Sequence, residues 1–532
     1  MGLIDWKKAP PEKSPGFCPG GRRYLVGGIV KEWTGPAFEV VSSVYQPSAA
    51  GLERQKLGDC ALLDESTALQ ALSAAEKAYD KGRGFWPTSP IETRIAALHH
   101  FLVRMKALRL EIARLIVWEI GKAWDDAVTE VDRTVEYGEQ TIDALRSLDR
   151  ESFALLRDGG YMARVRRSPF GVTLCMGPYN YPLNETFATL LPALIMGNPA
   201  VVKLPRLGML CTLPLLEAFA ESFPPGVVNV ISGEGAAVVT PIIKSGKIDL
   251  LAFIGSAKTA TVLKHLHPKA NRLRCVLGLG AKNIGIVMED ADLDLAAREG
   301  VGGALTFNGQ RCTALKLFFV HRKIADVFVE KLSAEMAKLK TGLPFESDVQ
   351  LTPLPDPIMV DKMTRYVSDG ISKGARVVNP QGGTSDRTYF HPALVYPVTS
   401  SMALWREEQF GPVVPVAVYD DVNEVIDYLA ESDHGQQASV FGRSPSIMGP
   451  LVDALVNQVC RVNLNTRCRR GPDTFPFSGR KDSAEGTLSV HDALRVFSLR
   501  TLVALKDTPA SDELMEELGA PGISRFLGSW QK

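Results

Sequence analysis

Cys312 stands in the segment Phe307-Asn308-Gly309-Gln310-Arg311-Cys312-Thr313-Ala314, a run of mostly small and polar residues between two apolar stretches. Residues 301–307 have the spacing of a helix end and 314–320 read as a Val/Leu/Phe-rich strand, which puts the thiol on a loop between rigid neighbours. Gly309, the adjacent Arg311 and the amides of a tight turn are expected to favour the thiolate, the form that attacks a carbonyl carbon. The alternative is a structural cysteine packed as a small hydrophobe.

The elements around that segment alternate. From Gly171 onward, Val/Ile-rich runs at 172–175, 200–204, 227–232 and 250–254 are separated by helical patterns, as in a parallel sheet covered by helices on both faces. A second series of the same kind starts near Asn283 and continues past Val440. Upstream, residues 24–30 and 38–44 are expected to be paired strands and 66–81 an amphipathic helix; apolar residues then recur at helical intervals across 91–148. A loose Pro-rich opening precedes them, and residues 511–532 read as a surface tail.

Composition narrows the function. In 532 residues, 45% hydrophobic, sixty basic side chains balance sixty acidic ones. No net field would hold the protein on nucleic acid or an anionic membrane, so any anion site is local. The eight cysteines (18, 60, 175, 211, 275, 312, 460 and 468) lack the close pairs of metal or disulfide frameworks, so no metal is expected and a reducing, cytoplasmic location is. No stretch is apolar for long enough to span a bilayer.

The Cys312 segment resembles the active-site signature of the aldehyde dehydrogenase superfamily. The resemblance runs from about Tyr24 to about Leu505 and includes Gly177-Pro178-Tyr179-Asn180-Tyr181-Pro182-Leu183, Val202-Lys203-Leu204-Pro205, Phe253-Ile254-Gly255-Ser256 and Glu407-Glu408-Gln409-Phe410-Gly411-Pro412. Arg470-Gly471-Pro472-Asp473 followed by Phe475-Pro476-Phe477 is similar to the NADP-dependent, non-phosphorylating glyceraldehyde-3-phosphate dehydrogenases of that superfamily. The implied fold is α/β: a Rossmann-type cofactor domain (1–150 and 170–279), a catalytic domain (280–484), and a small β oligomerisation element (151–169 and 485–510) that makes a homodimer or homotetramer.

The same resemblance implies the chemistry. Cys312 adds to an aldehyde; Asn180 and the Cys312 amide hold the resulting oxyanion. Lys203, Gly235, Gly255, Ser256, Glu408 and Phe410 match cofactor contacts, although no Gly-x-Gly-x-x-Gly fingerprint is present. At the place near Arg206 the NAD-dependent members often carry an acid. A guanidinium there suits a 2′-phosphate, so NADP is expected over NAD. Arg133, Tyr181, Arg311 and Arg470 fall at the substrate-phosphate positions, with Arg467 and Arg469 nearby. Taken singly, each arginine could be a surface ion pair.

One position departs from the family. Where its members read Glu-Leu-Gly-Gly-Lys, this chain has Gly278-Leu279-Gly280-Ala281-Lys282, so the glutamate that activates water for thioester hydrolysis has no side chain here. Removing a positioned base costs about two to four powers of ten in rate. The expectation is an aldehyde oxidiser with impaired deacylation. Open alternatives are another small or acidic aldehyde, an acyl-transferring dehydrogenase, a non-catalytic relative that binds cofactor, or a second carboxylate that reaches the water.

Overall fold

The computed structural model describes residues 3–8 and 20–528; Cys18 and the ends of the expected opening and tail lie outside them. Two parallel-centred sheets carry the molecule. The first runs, edge to edge, Ile29–Glu32, Arg23–Val26, Val228–Ile231, Ala200–Lys203, Thr173–Met176, Leu250–Ile254, Arg274–Gly278 and Ala484–Glu485. Its middle five strands are parallel. In four of them, all but Arg274–Gly278, the side chains are almost all buried on both faces, which is why they read as largely apolar runs rather than as alternation.

The second sheet runs Arg376–Val377, Ala393–Tyr396, Val413–Tyr419, Leu315–His321, Asn283–Val287, Gln437–Phe441 and Arg461–Leu464. All but its first strand are parallel. The helices Ile91–Ala107, Arg109–Ile120 and Trp124–Glu151 fill the 91–148 block; the first and third pack on the helix Asn184–Ile195, every residue of which is buried, and the second packs on Trp124–Glu151, Leu210–Leu215 and Ala37–Ser48.

Three expectations are corrected. Residues 24–30 and 38–44 are not partners: Arg23–Val26 turns back on Ile29–Glu32 through Gly27 and Gly28, both at positive φ, and Ala37–Ser48 pairs with Gly51–Ala61. Each run pairs with a strand close to it in sequence, which costs less loop-closure entropy than the longer-range pairing would. The opening is not wholly loose, because Ile4 and Trp6 are buried and Trp6 Nε1 donates to Asp386 at 2.8 Å. Nor is the end of the chain a free tail. The helix Pro509–Gly519 and the turns after it lay Met515 and Leu527 against Met162 on the sheet formed by Leu155–Asp158, Tyr161–Pro169 and Ser498–Lys506. That sheet would otherwise expose apolar side chains on this face.

Candidate active site

The nucleophile loop is shaped by side chains, not by glycine alone. Between the helix Leu293–Leu305 and the strand Leu315–His321, Phe307 and Asn308 are both held at positive φ (49° and 52°). Such backbone persists where its surroundings over-determine it. Here Asn308 donates to the Thr352 carbonyl at 2.9 Å and accepts the Thr352 amide at 3.1 Å. On the other side Asn283 Nδ2 donates to the carbonyls of Cys312 (2.7 Å) and Ala314 (3.1 Å).

The Asn180 loop is clamped from below. Lys122, fully buried, forms an ion pair with Glu130, donates to the Asn180 carbonyl at 2.7 Å and lies 3.6 Å over the Tyr181 ring. Glu130 accepts the amides of Leu183 and Asn184, both at 3.1 Å, where its charge also suits the start of the following helix. Asn180 Nδ2 donates to the Gln310 carbonyl at 2.8 Å, leaving its second N–H for a ligand.

Both loops open on one cavity of about 860 Å3. Its wall includes Cys312, Asn180, Gly278, Gly255, Ser256, Glu408, Phe410, Arg133, Tyr181, Arg311 and Arg470. Glu408 pairs with Lys316 at 2.9 Å and accepts the Ala281 amide at 3.1 Å, and Lys316 lies 4.5 Å from the centre of the Phe410 ring. Lys203, Arg206 and Gly235 are not in that wall. They lie at the carboxyl ends of the neighbouring strands Ala200–Lys203 and Val228–Ile231, the edge at which open α/β sheets take their ligands.

The expected thiolate is a correction. Burial pushes the Cys312 thiol up to about 11, and the Glu185 carboxylate adds to the rise against a hydrogen bond from Gln436. Arg311 does not reverse this, because its guanidinium turns away to donate to the carbonyls of Gly302 and Gly303, at 3.3 and 2.6 Å. Burial thus favours the thiol over the thiolate in the free protein.

The phosphate arginines are also differently engaged than their sequence spacing suggests. Arg133 grips Asp473 with two hydrogen bonds, at 2.8 and 2.7 Å. Arg470 is ion-paired with Glu185 and Asp473. Among the described residues, the cations of the wall without an ion pair are Arg311, Arg467, Arg469 and Lys362.

A dinucleotide fits the strand ends. The helices Gly235–Lys244 and Ala257–Leu266 start there, with Ser256 capping the second by accepting the Thr259 amide at 3.2 Å. An added Cβ at Gly235 would meet nothing within 4 Å, so the backbone there is open to a ligand. Burial lowers the pKa of Lys203, and the exposed Glu234 is the nearby charge that offsets it, so an anion would stabilise that ammonium. Among the described residues no group of three or more His, Cys, Asp or Glu could hold a metal ion.

Residues 40–503 match the aldehyde dehydrogenase family model. The chain belongs to the aldehyde dehydrogenase family. An NADP-dependent glyceraldehyde-3-phosphate dehydrogenase from Streptococcus equinus is 36% identical over 406 residues, 75% of this chain and 82% of its own. One of the same name from Triticum aestivum is 30% identical over 475 residues, 88% and 92% of the two chains. The crystal structure of NADP-dependent glyceraldehyde-3-phosphate dehydrogenase from Bacillus halodurans C-125 complexed with NADP superimposes with a TM-score of 0.84 at 30% identity, covering 92% of this chain and all of that one.

For an aldehyde dehydrogenase, several supporting residues were not apparent from sequence alone. Lys122, Glu130 and Lys316 brace the site but sit in unremarkable local sequence, whereas Gln310 and Asp473 lie inside the motifs quoted above without a role of their own there. Glu185 carried a signal: it is the one carboxylate in the otherwise mostly apolar helix Asn184–Ile195.

Proposed function

We propose that this aldehyde dehydrogenase oxidises glyceraldehyde 3-phosphate to 3-phosphoglycerate with NADP, through a thioester on Cys312. The observation that carries the reading is the convergence of Cys312, the Asn180 amide and six cationic side chains on one cavity, beside strand ends suited to a dinucleotide. The names of the relatives from Streptococcus equinus and Triticum aestivum and the NADP-bound Bacillus halodurans structure support the same substrate and cofactor.

Cys312 Sγ releases its proton to solvent water in the open cavity and adds to the aldehyde carbon. The oxyanion is received by Asn180 Nδ2 and the Cys312 backbone N–H, donors already fixed by the Lys122–Glu130 clamp and the Asn283 bonds, so little reorganisation opposes the step. A bound nicotinamide supplies the acceptor for the hydride. Lys203 and the two helix starts hold phosphate, and Arg206 is placed on the exposed loop after Lys203 to contact a 2′-phosphate. The substrate phosphate is bound by Arg467 and Arg469, whose guanidinium groups have no carboxylate partner among the described residues, with Arg133, Arg470, Arg311 and Tyr181 completing that wall.

The sheet of Leu155–Asp158, Tyr161–Pro169 and Ser498–Lys506 supports a homo-oligomer: Leu156, Leu499 and Leu502 remain about half or more exposed on it. The seven described cysteines are free thiols, in keeping with a reducing cytoplasm. No described helix is long and apolar enough to cross a membrane.

The test is kcat/KM for glyceraldehyde 3-phosphate against unphosphorylated glyceraldehyde, in the wild type and in the Arg467→Ala, Arg469→Ala double variant. The reading requires the phosphorylated aldehyde to be preferred by the wild type, and that preference to fall about 10–100-fold in the variant. Equal rates on both aldehydes in the wild type would dismiss the phosphate.

A further inference from the structure

We infer that Glu185 is the general base that releases the acyl group, in place of the side chain missing at Gly278; the assignment rests on the thioester reading above. A small chamber with about 10 Å3 of free room, the space of about one water, shares part of its wall with the main cavity. Its wall includes Cys312, Gly278, Gln436 and Glu185. Glu185 also lines the main cavity, so it borders both the place where substrate binds and the place where a water could wait.

Two further observations single out this carboxylate. It is 7% exposed on a helix whose other residues are all buried and mostly apolar, a costly place for a charge without use or partner. Arg470 is paired with only one of its oxygens, Oε2, and among the described residues Oε1 accepts no hydrogen bond. Its field also reaches the sulfur, where it is the largest charge effect on the Cys312 thiol. Glu408, the other carboxylate of the main cavity, does not line the chamber and is occupied by Lys316 and the Ala281 amide.

The step is hydrolytic and involves no redox change. Water oxygen bonds to the thioester carbon while Glu185 Oε1 takes a water proton. The tetrahedral intermediate then collapses, breaking the C–S bond and expelling Cys312 as thiolate. That thiolate recovers the proton from Glu185, and the product acid ionises into solvent. With one Glu185 oxygen held by Arg470, this step is slower than acylation.

Rapid mixing with NADP and glyceraldehyde 3-phosphate, followed by NADPH absorbance and intact mass, tests the assignment. Glu185→Gln is expected to keep a burst of about one NADPH per chain, lower the following steady rate by about 10²–10⁴-fold and accumulate acyl-enzyme. Hydroxylamine, a nucleophile that needs no base, should discharge that adduct at the wild-type rate. Adding Gly278→Glu to Glu185→Gln should recover the steady rate, since an added Cβ at 278 meets Ile254 at 3.3 Å and Leu488 at 3.5 Å, contacts that a small shift relieves.

If Glu185 only braces Arg470, burst and steady rate fall together and Gly278→Glu rescues neither, which overturns the assignment; an unchanged steady rate overturns it as well. Should the Gln variant not fold, Glu185→Asp must show the same split between intact burst and slowed turnover. A wild type that forms no adduct on Cys312 at all would instead remove the thioester reading, and this assignment with it.

Discussion

The side-chain amide of Asn180 donates to the carbonyl of Gln310 at 2.8 Å, tying the oxyanion donor to the loop that carries Cys312 two residues later. The two groups that must meet the same carbonyl are therefore tied to each other directly. The bond crosses between the two large sheets, so the geometry depends on their packing and not on either loop alone.

Asn180→Ala removes one oxyanion donor and leaves the thiol in place. Such a donor is worth about 10²–10³ in rate. Stopped-flow measurement should show the NADPH burst slowed by about that factor with its amplitude kept. A burst of unchanged rate would mean that the amide does not face the reacting oxygen.

The raised thiol gives a pH signature. Because burial and Glu185 favour the protonated form up to about pH 11, the thiolate fraction of the free protein falls as pH drops below that value. Alkylation of Cys312 by iodoacetamide, read by peptide mass to separate it from the exposed Cys460, should rise about tenfold per pH unit from 7 to 10. A plateau near neutrality would show a thiolate and restore the expectation from sequence.

Much of this was legible in the chain and some was not. The parallel strands announced themselves because burial on both faces leaves continuous apolar runs, and the Cys312 segment because its small and polar residues interrupt two such runs. The state of the thiol was not, since the direction in which Arg311 points depends on the carbonyls of Gly302 and Gly303. The pairing of Arg133 with Asp473 spans most of the chain, and no local spacing encodes it. Gly278 told where a base was missing, while Glu185 became a candidate replacement only when folding placed it on the same chamber.

Arg206→Asp should raise KM for NADP by about 10–100-fold and leave that for NAD unchanged or lower, as expected from losing a charge-assisted contact to the 2′-phosphate. Initial rates with the two cofactors decide it. Equal changes for both would place Arg206 outside the phosphate site.

Leu502 is 60% exposed on a strand whose other face is covered by the C-terminal helix. Leu502→Lys should convert an oligomer into smaller species by light scattering after gel filtration, with helical content retained. A monomeric wild type, or a variant of unchanged mass, would leave that face without the proposed partner.

The most direct test of the account is the covalent state of Cys312 in a single turnover. Mixed with NADP and glyceraldehyde 3-phosphate and quenched within the burst, the protein should carry one 3-phosphoglyceroyl group on the peptide containing Cys312, in step with one NADPH per chain. Cys312→Ser should give neither. NADPH formation that survives in Cys312→Ser, or that proceeds in the wild type with the thiol of Cys312 never acylated, would contradict the central claim.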